Sequence, residues 1–254
     1  MSEASQAYGV GFARIYDSQW SDFTRRMAPR IERFYDRVSR RFRNRRRLLD
    51  VCCGSGQLAL YFVRHGFQVT GLDLSGPMLD RARKNLEGQP ASSATFLQAD
   101  AAQFQLDRSF GLVVSTYDSL NHLPDLENLR NCFTCVAAAT IHGGYFVFDL
   151  NTRRGLKRWN GITVGETDDT FLVQRGIFDG ESRARMLLTG FIREGSSFAR
   201  FEESVYNTAF DLATVRELLT ETGWASVYFA RSDDLETPIA EPEDEDRVWV
   251  IAKR

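Results

Sequence analysis

From residue 48 onward, short apolar runs alternate with segments whose apolar positions recur every three or four residues. This alternation is typical of βαβ units and predicts a parallel sheet covered by helices. The helical periods fall at residues 57–64, 77–86 and 126–140. The pattern predicts an α/β fold with a doubly wound, mostly parallel, Rossmann-like sheet. We expect its first five strands at residues 48–52, 68–72, 95–98, 112–115 and 144–148.

The pattern changes between residues 152 and 210, where three β-rich runs replace the helical periods. The runs are joined by Asp-Gly at 179–180 and Glu-Gly at 194–195, and both dipeptides favour hairpin turns. We therefore predict an inserted antiparallel β-meander that caps the core. Its strands are expected at residues 171–178, 183–192 and 198–206.

The two ends of the chain complete the prediction. Residues 212–222 return to a helical period, and the runs at 225–230 and 247–252 predict two closing strands, the last of them antiparallel. Ahead of the core, residues 9–43 predict two amphipathic helices with a break near Trp20–Ser21. We therefore divide the chain into an N-terminal helical cap at 1–47, a core at 48–151 and 211–254, and the meander cap at 152–210.

Composition narrows the class of protein. With 43% hydrophobic and 26% charged residues and a formal net charge of −2, the chain does not resemble a disordered, collagen-like or disulfide-scaffold protein. No apolar run approaches the roughly 20 residues that a membrane-spanning helix needs. The first ten residues also lack the basic-then-apolar layout of a signal peptide. We expect a cytoplasmic protein with no membrane partner.

Two local features, an arginine-rich run and a cysteine pair, bear on partners and metals. The run at 37–47 either binds nucleic-acid phosphates or forms a solvated helix end, where cations complement the macrodipole. We favour the helix end because no aromatic stacking platform accompanies the run, so nucleic acid is not the expected partner. The sequence neither predicts nor excludes a homodimer.

Cys132 and Cys135 lack a second ligand pair at metal-binding spacing, so no metal site is predicted.

The strongest chemical signal is the transition from the first strand into a glycine-rich turn and a helix, Leu48-Leu-Asp-Val-Cys-Cys-Gly-Ser-Gly56. Glycines let the backbone approach a ligand closely, and the helix N-terminus offers free N–H groups to an anion. The spacing Gly54-x-Gly56-x-x-Ala59 also satisfies the dinucleotide fingerprint. An NAD(P)-dependent oxidoreductase is therefore one alternative.

Three carboxylates refine this interpretation. Asp50, Asp73 and Asp100 all lie at carboxyl ends of predicted parallel strands, the edge at which such sheets bind ligands. A pyrophosphate beside the glycine turn would be repelled by Asp50. A ligand that carries an ammonium group, a ribose and an amino-purine would suit all three carboxylates. That ligand is S-adenosylmethionine.

The sequence resembles the class I S-adenosylmethionine-dependent methyltransferases, in the stretches LDVCCGSG, GLDLSGPML, FLQADA and VVSTYDSLNHL at 49–56, 71–79, 96–101 and 113–123. The resemblance implies that the glycines line the methionine tail of the cofactor and that Asp50 holds its ammonium group. It further implies that Asp73 binds the ribose diol, and that Asp100 accepts from the adenine amine. The implied cofactor-binding set is Tyr16, Asp50, Cys52, Gly54, Gly56, Asp73, Leu74, Met78, Asp100, Ala101 and Ser115.

The loop after the fourth strand is unusually polar, and in the resembling family it lies beside the transferable methyl group. His122 has an ordinary pKa near neutrality, which suits a general base. Asn and Asp in such a loop also make turns, so Asp118 and Asn121 are equally well explained by local hydrogen bonding. We expect His122, Asp118 and Tyr117 as catalytic residues, and Asn121, Asp149 and Asn151 as contacts to the acceptor.

The same loop bears on the substrate. Family members that methylate amino groups of nucleobases or of glutamine commonly carry an N/D-P-P-Y/F motif there, and this chain has Ser115-Thr-Tyr-Asp118 instead. We therefore expect methyl transfer to an O or N atom of a small-molecule metabolite, with the meander closing over the site and excluding water. The alternatives are the NAD(P)-dependent oxidoreductase and a non-catalytic, cofactor-binding regulatory subunit.

Overall fold

The computed structural model describes residues 8–39, 46–107 and 109–254, which form a seven-stranded sheet flanked by helices and a separate four-stranded sheet. The strands are β1 (Arg47–Val51), β2 (Gln68–Asp73), β3 (Ala94–Gln98), β4 (Phe110–Ser115), β5 (Thr140–Asn151), β6 (Gly161–Glu166), β7 (Thr170–Phe178), β8 (Arg183–Glu194), β9 (Ser197–Thr208), β10 (Ser226–Ala230) and β11 (Arg247–Lys253). The α-helices are α1 (Val10–Val38), α2 (Gln57–Arg64), α3 (Gly76–Asn85), α4 (Leu126–Ala139), α5 (Arg153–Lys157) and α6 (Leu212–Glu221), and short 3-10 helices lie at Ser119–His122 and Pro242–Asp244.

The large sheet has the order β10-β11-β5-β4-β1-β2-β3. Strands β1 to β5 run parallel, whereas β11 is antiparallel to both β5 and β10. The prediction of a doubly wound, Rossmann-like sheet with an antiparallel last strand is confirmed. Because the strand order reverses between β1 and β4, a crevice opens at their carboxyl ends, where such sheets bind ligands.

The four-stranded sheet is an antiparallel meander in the order β6-β7-β8-β9. Strands β7, β8 and β9 cover the three predicted runs, and Gly180 and Gly195 adopt positive φ angles of 93° and 63° in the turns between them. The edge strand β6 was not predicted. Its apolar residues Ile162 and Val164 are 69% and 57% exposed, so it lacks the buried alternation that marks a strand in sequence.

The helix α1 corrects one prediction, because it is a single helix of 29 residues and not two helices broken near Trp20–Ser21. The segment contains no glycine or proline at that point, and Pro29 lies inside the helix without ending it. The apolar pattern shifts near residue 20 because the packing partner changes. The first half, including Phe12 and Ile15, packs on the four-stranded sheet, whereas the second half packs on the core around α2.

The arginine-rich run is only partly described, because residues 40–45 lie outside the described residues. At its two ends, Arg37 pairs with Glu236 at 2.6 Å and Arg46 pairs with Glu32 at 3.4 Å. The four cysteines are free thiols. Within the described residues, no helix combines the length and apolarity that crossing a bilayer requires.

Candidate active site

A cavity with an empty volume of about 760 Å³, part of it open to solvent, lies at the carboxyl ends of β1, β2 and β4. Ten of the residues that the sequence predicted for cofactor binding or catalysis line it, and four more lining residues were not predicted. The predicted ones are Tyr16, Cys52, Gly54, Asp73, Leu74, Met78, Asp100, Ala101, Tyr117 and His122, and the others are Tyr8, Ser119, Leu123 and Val205.

The glycine-rich turn forms one wall of this cavity. Cys52, Gly54 and Gly56 have φ angles of +60°, +53° and +72°, a region in which only glycine is unstrained. A Cβ atom added to Gly54 would lie 3.3 Å from Met78 Cε, so the missing side chain keeps this corner open. Gly56 does not line the cavity; it is the N-cap residue of α2, and a Cβ there would lie 2.9 Å from the Cβ of Ala82.

Asp73, at the end of β2, organises this turn. Its Oδ2 accepts a hydrogen bond from the Gly54 N–H and its Oδ1 accepts one from the Ser75 N–H, each at 2.8 Å. Burial raises the pKa of Asp73, and the hydrogen bonds from backbone N–H groups oppose that shift. Each oxygen has a second lone pair, so the carboxylate can still accept from a ligand's hydroxyl groups.

Asp50 and Ser115 lie at the switch point between β1 and β4 and do not line this cavity. Asp50 is opposite Val114 in the strand pair, and it is 2% exposed. Among the described residues, Asp50 Oδ2 and Ser115 Oγ have no hydrogen-bond partner. Burial, and then the nearby Asp73, raise the pKa of Asp50 well above its usual value. Unpaired buried polar atoms are rare and mark a place for water or a ligand.

The loop after β4 is strained at Tyr117 and Asp118, whose φ angles are +68° and +50°. Asp149, near the end of β5, holds both residues, because its carboxylate accepts from the Tyr117 N–H at 2.6 Å and the Asp118 N–H at 2.9 Å. Strained backbone of this kind persists only where its surroundings over-determine it, and it clusters at functional sites.

Arg247, the first residue of β11, completes this support and was not predicted from the sequence. Its guanidinium pairs with Asp149 and, at 2.6 Å, with Asp118. The same group lies over the rings of Phe23 and Tyr117, at 5.2 and 5.5 Å from their centroids. The signal in sequence is slight: Arg247 is the first base after the acidic segment at 232–246.

His122 presents an imidazole nitrogen to the cavity. Its Nδ1 lies 2.9 Å from the Tyr206 carbonyl oxygen, which can only accept, so Nδ1 carries the hydrogen. Nε2 then accepts from the Tyr8 hydroxyl at 3.2 Å. Burial lowers the pKa of His122, which keeps the ring neutral at neutral pH. Tyr8 was not predicted; its signal is the four-residue spacing of Tyr8, Phe12, Tyr16 and Trp20.

Asn121, Asp149 and Asn151, which the sequence predicted as acceptor contacts, line neither cavity. The Asn121 amide donates to the carbonyl oxygens of Asn151 at 3.0 Å and Thr208 at 2.8 Å, and its Oδ1 accepts from the Asn151 N–H at 2.9 Å. These bonds tie the 3-10 helix after β4 to the ends of β5 and β9.

A second cavity of about 750 Å³ adjoins the first. Tyr8, Tyr16, Tyr117, His122 and Val205 line both. The rest of the second wall comes from α1, the four-stranded sheet and the Arg247 cluster, through Phe12, Trp20, Asp118, Trp159, Gln174, Met186, Leu188, Asn207 and Arg247. The two cavities together can hold two ligands in contact with each other.

Comparison with known proteins shows which family has this arrangement. Residues 48–144 match the profile of a family described as a methyltransferase domain. The crystal structure of DesVI from Streptomyces venezuelae superposes with a TM-score of 0.73 at 26% identity, over 96% of this chain and 99% of that one. The chain belongs to the class I S-adenosylmethionine-dependent methyltransferases.

Two further relatives agree with this assignment. The structure of an S-adenosylmethionine-dependent methyltransferase from Clostridium acetobutylicum has a TM-score of 0.77 at 21% identity, over 96% of the methyltransferase described here and 97% of that chain, and supports the fold. The dTDP-3-amino-3,4,6-trideoxy-alpha-D-glucopyranose N,N-dimethyltransferase of S. venezuelae is 32% identical over 142 residues, which are 56% of this chain and 58% of that protein. The NAD(P)-dependent oxidoreductase alternative is therefore wrong.

The residues of the methyltransferase fit the cofactor. The unpaired buried Oδ2 of Asp50, which does not line the cavity, suits an ammonium group reached through a water, and the open corner at Gly54 suits a ligand that contacts the backbone. Asp73 has lone pairs to spare for a diol, and Leu74 and Met78 offer apolar surface to a base. Asp100 also lines this cavity, and its Oδ1 accepts from the Ala102 N–H at 2.8 Å.

Proposed function

We propose that this methyltransferase transfers a methyl group to an O or N atom of a small-molecule metabolite, which binds in the second cavity. The observation that carries the proposal is the position of that cavity, which is lined by residues of α1 and the four-stranded sheet and shares Tyr8, Tyr117 and His122 with the cofactor cavity. Its lining is predominantly aromatic and apolar with a few polar side chains, as is usual for small-molecule sites. In further support, the N,N-dimethyltransferase relative is named for a sugar-nucleotide substrate.

The chain's own residues supply position and proton transfer. S-adenosylmethionine supplies an electrophilic methyl group on a sulfonium. Methyl transfer needs the acceptor's lone pair held in line, and such orientation accounts for much of the rate. The aromatic side chains of α1 and the apolar residues of β8 and β9 enclose the acceptor and exclude water.

Tyr8 and His122 are placed to remove the acceptor's proton. The Tyr8 hydroxyl donates to His122 Nε2, and both residues line both cavities. As the acceptor's proton passes to the Tyr8 oxygen, the Tyr8 proton passes to Nε2, and the imidazolium later returns a proton to solvent. General-base catalysis of this kind contributes about 10² to 10⁴ in rate.

We assign the reaction to the cytoplasm. Cys132 and Cys135 lie three residues apart on α4, and both are free thiols. Free cysteines are the rule in a compartment whose glutathione and thioredoxin keep thiols reduced.

The proposal is tested with methyl-labelled S-adenosylmethionine and cell extract separated into small-molecule, RNA and protein fractions. We expect the label in the small-molecule fraction. Asp50→Asn should lose the transfer because it weakens cofactor binding. Label in RNA or protein alone would contradict the proposal, and tight cofactor binding without any transfer would favour a non-catalytic regulatory subunit.

The roles of His122 and Tyr8 are tested once an acceptor is in hand. His122→Asn and Tyr8→Phe should each lower kcat by about tenfold or more for a hydroxyl acceptor, since the base or its relay is lost. Affinity for S-adenosylhomocysteine should stay within about threefold. An unchanged pH profile of kcat in His122→Asn would exclude the base.

A further inference from the structure

The second cavity contains one buried donor that the protein leaves unpaired. Asn207, in β9, has no exposed surface and lines this cavity. Among the described residues, its Nδ2 atom has no hydrogen-bond partner, and no other residue lining the second cavity has a buried side-chain atom in this state. An unpaired buried donor destabilises a fold, so its presence points to a ligand that pairs with it.

The oxygen of this amide pairs with a neighbouring side chain that the backbone around it holds in place. Asn207 Oδ1 accepts from Asn151 Nδ2 at 3.3 Å. The Asn151 backbone N–H is bound by Asn121 Oδ1, and the Asn121 amide donates to the carbonyl of Thr208, the residue after Asn207. The oxygen of Asn207 is therefore engaged on the side of β5, which leaves its nitrogen for the cavity.

We propose that Asn207 Nδ2 donates a hydrogen bond to an oxygen of the methyl acceptor. The acceptor then carries a hydroxyl, ether or carbonyl oxygen in addition to the atom that is methylated. This inference rests on the proposed function, because it assigns the second cavity to the acceptor. The aromatic part of the wall, where the rings of Phe12, Tyr16 and Trp20 pack in edge-on and tilted contacts, suits the C–H face of a small ring that bears both groups.

The charges around the cavity indicate a neutral oxygen, not an anionic one. Asp118 and Arg247 line the cavity, and Asp149 pairs with the same guanidinium from outside it. Two carboxylates against one guanidinium leave this cluster with a net charge of −1, and the imidazole of His122 is neutral. A carboxylate or phosphate on the acceptor would be repelled there.

The test uses two probes that differ in one hydroxyl group, trans-2-aminocyclohexanol and cyclohexylamine. Their binding to the enzyme saturated with S-adenosylhomocysteine is followed by quenching of the fluorescence of Trp20 and Trp159, which line the cavity. We expect the hydroxyl compound to bind wild-type protein about tenfold more tightly, the effect of one hydrogen bond to an otherwise unpaired donor.

Asn207→Leu removes the donor at similar size. The variant should bind both probes equally, because only the hydroxyl compound loses a partner. Asn128→Leu, in α4 and lining neither cavity, is the matched control and should keep the wild-type preference. Asn207→Leu also removes the acceptor of the Asn151 Nδ2 bond, so the melting temperature is measured in parallel and should fall by no more than one buried hydrogen bond accounts for, with the protein folded at the temperature of the titration.

Three results would overturn the inference: Asn207→Leu retains the preference, wild-type protein shows no preference, or neither probe binds at about 50 mM. Failure of the proposed function looks different. In that case the label from S-adenosylmethionine reaches only macromolecules, whatever residue stands at position 207.

Discussion

The two sides of the site carry the same residue type in opposite electrostatic states. On the cofactor side, Asp50 and Asp73 have no paired cation in the described part of the chain. On the acceptor side, Asp118 and Asp149 share the guanidinium of Arg247. Asp50 and Asp149 are equally inaccessible, at 2% and 0% exposure, so burial alone does not separate them. A carboxylate compensated inside the fold stabilises the fold, whereas an uncompensated one is available to a cationic ligand.

Both sides contain strained backbone, but different interactions hold it in place. In the described residues, positive φ angles outside glycine occur at Cys52 on the cofactor side and at Tyr117 and Asp118 on the acceptor side. The acceptor-side loop is held by an ion-paired carboxylate, that of Asp149 with Arg247. The cofactor-side turn is held by hydrogen bonds, among them Gly54 N–H to Asp73, Cys53 N–H to the Leu72 carbonyl oxygen and Asn85 Nδ2 to the Ser55 carbonyl oxygen. The acceptor side should therefore contribute more to stability and the cofactor side more to binding.

The largest expected effect comes from removing the shared cation. Arg247→Met leaves Asp118 and Asp149 buried without a counter-charge, and breaking such a pair costs about 3 kcal/mol of unfolding free energy. Urea unfolding followed by circular dichroism measures the loss. We expect the strained loop at Tyr117 to open, so acceptor turnover should fall with stability.

Arg247→Lys is the matched control, because it keeps the charge but loses the two-pronged geometry. It should recover part of the lost stability. If Arg247→Met unfolds at the same urea concentration as the wild type, the acceptor-side carboxylates are not held by this residue and the contrast between the two sides fails.

The next effect separates binding from stability on the two sides. Asp50→Asn should weaken S-adenosylhomocysteine binding by about thirtyfold, because a buried charged partner of the ammonium is lost. It should also raise the unfolding free energy by about 1 kcal/mol, because an uncompensated charge is removed. Calorimetric titration and urea unfolding measure the two quantities.

Asp149→Asn is the mirror experiment. It should lower stability by about 2 kcal/mol, because one amide oxygen cannot accept from both loop N–H groups and pair with Arg247. Cofactor affinity should stay within about threefold of wild type. The opposite pattern, with Asp149→Asn impairing the cofactor and Asp50→Asn impairing the fold, would reverse the assignment.

Most residues that the sequence predicts for the cofactor line the first cavity, whereas the support of the acceptor side by Arg247 was not predicted, for a physical reason. Strand, glycine turn and carboxylates such as Asp50 and Asp73 are set within about 25 residues, where periodicity and turn chemistry act. Arg247 reaches the loop after β4 only because β11 pairs antiparallel with β5, which places it opposite Asn151. A local sequence pattern predicts neither that strand register nor the hydrogen bonds of Asn121 to Asn151 and Thr208.

The pH dependence of binding is the third test. Burial and the nearby Asp73 raise the pKa of Asp50 above its usual 3.8. In the cofactor-free protein, the ionised carboxylate therefore lowers the free energy of unfolding at high pH. This destabilisation disappears as the pH falls through the raised pKa and the carboxylate takes up a proton. A bound ammonium favours the carboxylate instead. Affinity for S-adenosylhomocysteine should therefore fall on acidification, by at most about tenfold per pH unit.

Asp50→Asn is the reference for that titration, because it cannot ionise. Its affinity should vary less with pH than that of the wild type between about pH 8 and pH 5. Parallel curves for the two proteins would assign the titration to another group, of which the neutral His122 at the junction of the cavities is one.

The smallest effect is expected at Cys52. Cys52→Gly relieves the strain of a left-handed residue, which should raise the unfolding free energy by about 1 kcal/mol. Glycine also increases the entropy of the unfolded backbone and loses side-chain packing, which should lower the unfolding free energy by a similar amount. The net change in unfolding free energy should lie within about 1 kcal/mol, with cofactor affinity near wild type. Tyr117→Gly relieves the same strain yet removes a ring stacked on Phe23 at 4.3 Å and covered by Arg247, so it should destabilise clearly. If Cys52→Gly and Tyr117→Gly change the unfolding free energy equally, the backbone alone holds the strained loop at Tyr117, and Asp118, Asp149 and Arg247 do not.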